Sequence, residues 1–150
     1  MELYERHRPP YSLSTDRGRL DIDFVHNYLA KESYWAQGLP LPRFRRAIEH
    51  SLNFGLYDEH NRQVGFGRVV TDTSSLAYLY DIFITPEKQG NGLGTWLVNC
   101  ILEHPNLQSI RTWMLSTKDA HDFYRKFGFN GLENAQLLMQ RCDKTGYKRI

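Results

Sequence analysis

The chain holds 150 residues, 41% hydrophobic and 24% charged, with 19 Lys and Arg against 17 Asp and Glu for a formal charge of +2. That length fits one compact domain. The near-neutral balance leaves no basic footprint for nucleic acid or an anionic membrane surface. Leu, Ile, Val and Phe together supply 38 residues, enough to build a core and to exclude a disordered chain.

The first twenty residues, with Pro9, Pro10, Ser12, Ser14 and Gly18, read as irregular chain. Residues 1–10 mix acids, arginines and a histidine with no apolar run, so no signal peptide is expected there. Ile22, Val25, Leu29 and Trp35 recur at roughly helical spacing, which predicts a helix over 21–34 with Asp21 as its N-cap. Residues 38–42 break it, and Pro42 is placed as the first residue of a second helix. There Phe44, Ala47, Ile48, Ser51 and Leu52 form an amphipathic stripe. Residues 54–57 and 63–71 read as strands of an antiparallel hairpin around the polar turn 58–61. The strongest strand is 77–84, closed by Pro86 after Thr85. Asp81 interrupts it, and it is too short to span a bilayer. A glycine-rich loop precedes a helix whose stripe is Leu93, Trp96, Leu97, Cys100 and Ile101, ending near Pro105. A strand is expected over 110–115, a short helix over 120–127 with Gly128 at its C-cap, and a last strand over 137–140. A mobile basic tail is expected over 143–150. The order gives a mixed α/β domain.

Cys100 and Cys142 form no zinc spacing, and without a secretion signal they read as reduced thiols of a cytoplasmic protein. Cys100 sits on the apolar helix stripe and reads as core. The six histidines show no paired ligand spacing, so no metal is expected. The chemistry points instead to Gln89-Gly90-Asn91-Gly92-Leu93-Gly94. Glycines let backbone N–H groups turn toward one point, and the following helix adds its unpaired first-turn amides and positive dipole end. Such a site favours phosphate. Thr95 and Trp96 stand where a Walker loop requires Lys then Ser or Thr, and the GxGxG spacing also fails the dinucleotide fingerprint. Gln89, Gly92 and Gly94 remain, in the pattern Q-x-x-G-x-G.

With that pattern the sequence resembles the GNAT acetyltransferase superfamily, whose pyrophosphate loop reads [Q/R]-x-x-G-x-[G/A]. The resemblance extends to Ile84-Thr85-Pro86 at the strand end and to Ala120, Tyr124, Gly128 and Phe129 in an A-x-x-x-Y-x-x-x-G-F register. It implies an α/β GNAT fold, a mostly antiparallel mixed sheet splayed to admit the cofactor and flanked by helices, in a single domain over 1–150. It implies acetyl-coenzyme A bound at its pyrophosphate by Gln89, Gly90, Asn91, Gly92, Leu93, Gly94 and Thr95. Its pantetheine arm would lie along main-chain groups of Phe83 and Ile84, near Thr117, Ala120 and Tyr124. An unpaired N–H of Phe83 or Ile84 would polarise the thioester carbonyl. Tyr124 is the implied general acid for the thiolate.

For removal of the amine proton Asp81 is the candidate, acting through water or by holding a cationic amine. The alternative is a strand aspartate that ties down a neighbouring loop. Some relatives place Glu three residues earlier, where this chain has Tyr78; Thr117 stands where many have Asn, losing the paired contacts of an amide. The family's acceptor pocket would draw on His26, Tyr34, Trp35 and Gln37 from the opening helices and on Glu133 and Asn134 from the last loop. Aromatic faces with carboxylates suit an amine cation. The cluster Arg43, Arg45 and Arg46 is read as a solvated face. The implied activity is acetyl transfer to a small-molecule or peptide amine by a monomer or homodimer; the alternative is a non-catalytic acyl-coenzyme A binding module.

Overall fold

The computed structural model describes residues 1–148. One six-stranded sheet runs through the molecule in sequential order: β1 (Glu5–Arg8), β2 (Tyr11–Ser14), β3 (Leu52–Tyr57), β4 (Gln63–Thr71), β5 (Leu76–Ile84) and β6 (Thr112–Met114). Neighbours are antiparallel except for the parallel pair β5 and β6. That parallel step needs a crossover, which α3 (Leu93–Leu102) provides. The other helices are α1 (Ile22–Asn27), α2 (Leu41–Glu49) and α4 (His121–Arg125).

Two apolar clusters build the core. Leu93, Leu97, Cys100 and Ile101 of α3 pack on Phe54, Val69, Ala77, Leu79 and Ile84 of the sheet. Val25 and Leu29 of the first helical segment and Phe44 and Ile48 of α2 pack on Phe66 and Phe83. Glycine permits the close approach on the α3 side. A Cβ on Gly67 would lie 2.8 Å from Ile82 Cδ1 and 3.0 Å from Ile101 Cδ1.

β5 serves both clusters by changing phase. Ala77 and Leu79 face the α3 cluster, yet so do Ile82 and Ile84, while Phe83 joins the other one. The change falls at a β-bulge. Gly65 and Phe66 pair with Ile84 and Phe83, but Arg68 pairs with Tyr80, leaving Asp81 and Ile82 against Gly67 alone. Asp81 takes φ +58° there, a left-handed conformation that Asp tolerates better than most residues.

Several expected boundaries shift. The first twenty residues are not irregular, because β1 and β2 pair as a hairpin and β2 continues onto β3. The tertiary partner, Leu13 opposite Leu56, makes the strand, and no local alternation announces it. Asp21 caps α1 as expected, accepting from the Phe24 amide at 3.0 Å, but the helix widens to a π-helical turn over Tyr28–Glu32. Pro40 is the N-cap of α2, so Pro42 is its second residue and not its first. Residues 137–140 form no strand: Leu137 is 75% and Met139 97% exposed, beside an edge strand only three residues long. Nor is the end a free tail throughout. Tyr147 packs against the α1–α2 cluster, with the Arg43 guanidinium 4.9 Å from its ring centre; residues 149 and 150 lie outside the described residues. Arg43, expected on a solvated face, thus has a ring partner.

Candidate active site

The pairing of β5 with β6 stops at Tyr78 opposite Met114, while β5 runs on to Ile84. Beyond Tyr78 the two strands part, and the gap is a cavity of about 980 Å³ lined by residues 78–84 of β5 in succession. The loop before α3 closes one end, residues 115–120 and α4 form a wall, and residues 28–35 form the far end.

The loop end is set by conformation. Gly90 and Gly92 take φ +83° and +74°, where an L side chain would strain the backbone. The Gln89 side chain donates to Ile84 O at 3.0 Å, bracing the loop on the strand. Among the described residues no acceptor is found for the N–H groups of Gly90 to Thr95, since the first bond of α3 runs from Trp96 N to Gly92 O at 3.0 Å. Free amides ahead of a ten-residue helix, with open space where a Cβ of Gly90 would stand, fit a diphosphate.

Strand alternation assigns the main-chain groups of β5. Thr85 N donates to Val64 O at 2.9 Å, so Thr85 and Val64 form a hydrogen-bonded pair. Ile84, opposite Gly65, is then a non-bonded pair whose N–H and C=O point away from β4. Its carbonyl meets the Gln89 side chain on that side. By the same alternation the Phe83 amide points toward β4. Of the two residues expected to offer a wedge-facing N–H, Ile84 does so. Phe83 contributes its ring, stacked at 3.8 Å on Tyr28.

Tyr124 reaches the cavity from α4, its ring held by Phe123 at 5.0 Å and Phe129 at 5.9 Å. Its hydroxyl has no hydrogen-bond partner among the described residues. Burial first, and the neighbouring Tyr34 phenol second, push its pKa up to about 12. Thr117 Oγ1 accepts from Ala120 N at 3.1 Å and shapes the entry to α4.

Asp81 also lines the cavity, but its carboxylate is occupied. Oδ2 accepts from Arg68 Nε at 2.9 Å and Oδ1 from Trp35 Nε1 at 3.0 Å, with side-chain exposures of 6% for Asp81 and 13% for Arg68. Arg68 also donates to Ser51 Oγ at 3.0 Å and covers the Tyr80 ring at 4.7 Å. Tyr34 spans the far end: its hydroxyl accepts from Lys118 N at 2.8 Å, and its ring meets Trp35 edge-on at 5.1 Å. Tyr78 bonds Ser116 Oγ at 2.6 Å. Glu32 lines the same end, and no ion-pair partner for it is found among the described residues.

The expected site residues therefore converge, with exceptions. Tyr34, Trp35, Asp81, Phe83, Ile84, Gln89, Gly90, Gly92, Leu93, Gly94, Thr95, Thr117, Ala120 and Tyr124 share one cavity. Asn91 belongs to the loop but not to the lining. Glu133 and Asn134, exposed in the last loop, are outside it, because residues 130–140 do not fold back as a strand. His26 and Gln37 are outside it too; the His26 ring bonds Leu39 O at 2.6 Å and packs 5.9 Å from Phe44. Sequence reasoning missed Arg68, Glu32, Tyr28 and Tyr80. The signal for Arg68 was present: opposite charges interrupt two consecutive apolar strands. Cys100 is core as expected, its thiol pushed up by burial to about 11.

Comparison with known proteins agrees. The GNAT acetyltransferase domain family matches residues 50–131. A protein of Xanthomonas campestris pv. campestris, described as a candidate acetyltransferase of the GNAT family, superposes with a TM-score of 0.90 at 39% identity over 95% of this chain and 100% of its own. A candidate acetyltransferase of Gibberella zeae is 29% identical, over 88% of this chain and 89% of its own. A Mycobacterium tuberculosis protein solved in complex with CoA shares the fold at a TM-score of 0.66 and 17% identity, over 81% of this chain and 72% of its own.

Proposed function

Because the chain belongs to the GNAT acetyltransferase family, we propose that it moves an acetyl group from acetyl-coenzyme A directly to a primary amine of a small molecule or peptide, with Tyr124 as general acid. The observation that carries this reading is the single cavity joining free loop amides at one end to the Tyr124 phenol and an aromatic mouth at the other. When bound, acetyl-coenzyme A supplies an activated acyl carbon and a thiolate leaving group.

The chain's own residues supply the rest. The amides of Gly90 and of Gly92 to Thr95 hold the diphosphate, and Ile84 offers its N–H to the thioester oxygen. Tyr124 keeps its proton on Oη throughout the ordinary pH range, because burial holds its pKa near 12, and gives it to the departing sulfur. Asp81 acts here as a brace: it fixes Trp35 and offsets the charge of Arg68. The ammonium sheds one proton to water at the mouth before attack, and the second proton, lost from nitrogen as the amide forms, restores the Tyr124 hydroxyl. Glu32, without an ion-pair partner among the described residues, draws the amine cation in, and the rings of Tyr34 and Trp35 flank it. Both substrates meet in this cavity at once, and the acetyl group passes between them directly. Two free cysteines fit a reducing, cytoplasmic setting.

The test is free-thiol release from acetyl-coenzyme A across a panel of amines. Release with at least one amine is expected, and double-reciprocal lines that intersect. Tight coenzyme A binding with no release for any amine would make the chain a binding module instead.

A further inference from the structure

We infer that Arg8 is a positioning residue for the diphosphate cradle: from the N-terminal hairpin it grips the carbonyls of Asn91 and Gly92 and thereby aims the amides of Gly92 and Leu93 into the cavity. The inference rests on the cofactor reading of residues 89–95 given above.

A trans peptide carries the C=O of one residue and the N–H of the next on opposite sides. Arg8 Nη2 donates to Asn91 O at 3.4 Å and Nη1 to Gly92 O at 3.2 Å. The 91–92 peptide therefore turns the Gly92 N–H away from the guanidinium, and the 92–93 peptide turns the Leu93 N–H likewise. Gly92 and Leu93 line the cavity, whereas Asn91 does not. A planar guanidinium suits this grip because its fork holds two acceptors at fixed angles.

The hairpin holds the loop at a second point. Arg8 and Tyr11 are directly opposite in the β1–β2 register, so their side chains leave the same face. Lys88 Nζ lies 5.9 Å from the Tyr11 ring centre, within cation–π range. Between these contacts stand Gly90 and Gly92, and glycine lets the adjoining peptides flip; the 92–93 peptide is also held by Trp96 N at Gly92 O, so the 91–92 peptide is the one that depends on Arg8. A flipped 91–92 peptide would present an oxygen to the diphosphate where a donor is needed. Arg8 opposes that flip.

Calorimetric titration of the full chain with coenzyme A and with pantetheine, which lacks the diphosphate, tests this. Arg8→Met should weaken coenzyme A binding about tenfold, the loss of roughly one or two net hydrogen bonds, and leave pantetheine binding as in the parent chain. Arg8→Lys keeps the charge without the fork and should recover little. Unchanged coenzyme A affinity, full recovery by lysine, or an equal loss toward pantetheine would each overturn the role given to Arg8. Failure of the parent chain itself to bind coenzyme A would instead remove the cofactor reading on which it stands.

Discussion

At the scale of single residues, Tyr124 and Asp81 separate two ways in which a polar group can sit in an apolar setting. The Tyr124 hydroxyl has no partner among the described residues and lines the cavity, so its proton is available. Tyr124→Phe should lower turnover by about two orders of magnitude, within the usual range for a general acid, while coenzyme A affinity stays within a few-fold. In the parent enzyme the raised phenol pKa has a further consequence: turnover should not fall as pH passes 10.0, the ordinary tyrosine value. A decline there, absent from the Phe variant, would show the proton leaving too early. Asp81 is a different case, its two oxygens taken by Arg68 and Trp35. Arg68→Met leaves a buried carboxylate without its cation and should cost about 3 kcal/mol in urea unfolding. Asp81→Asn should keep turnover within about tenfold, where loss of a true general base would cost on the order of 100- to 10,000-fold. A residue type in a strand could be read as unusual from the sequence; whether its charge was free or matched could not, because its partners lie 13 and 46 positions away.

At the scale of elements, the loop before α3 was the most legible feature, since glycine spacing and helix polarity are both local. Its working conformation is also local, and Gly92 tests it. A Cβ there would meet nothing closer than Arg8 Nη1 at 3.5 Å, so space is not the obstacle; the φ of +74° is. Gly92→Ala should weaken coenzyme A binding by about tenfold, from the roughly 1–2 kcal/mol that an L residue loses in the left-handed region. Gly92→Val, branched at Cβ, should weaken it further. Equal affinities for all three chains would mean that the loop does not hold the diphosphate in this form. The helices over α2 and α3 and the strands β3 to β5 were legible for the same reason: each carries its own periodicity. The N-terminal hairpin carries none. Its strands exist because β3 offers an edge that arrives some forty residues later. The segment 137–140 shows the converse, strand-like residues with too short an edge beside them.

At the scale of the whole molecule, the fold covers its sheet on both faces and raises several groups that titrate in alkali, Cys100, Tyr57 and Tyr124 most strongly. Burial raises Cys100 from 9.0 to about 11, and Tyr57 and Tyr124 from 10.0 to about 12. The unfolded chain releases these protons first, so between pH 9.0 and about 12 the native state holds more of them. Stability is then fully present below that window and falls as pH rises through it. Thermal midpoints measured across the window should drop steadily, and Tyr57→Phe should reduce the slope; a flat profile would contradict the burial of these side chains. The overall architecture followed from element order and the family's two motifs. The acceptor end did not, because it is assembled from a π-helical turn, a strand bulge and a loop that meet only in three dimensions.

The phase change at Asp81 gives the same strand two grammars. Upstream of it, odd-numbered side chains belong to the α3 interior and even-numbered ones to the mouth; downstream the assignment is exchanged. No single alternation fits 77–84, although each half on either side of Asp81 alternates by itself. Removing Asp81 would erase the bulge and restore plain alternation along the strand, with Phe83 and Ile84 still opposite Phe66 and Gly65 and on their present faces. The added residue therefore bends and twists the strand beside the cavity without deciding which face Phe83 or Ile84 takes.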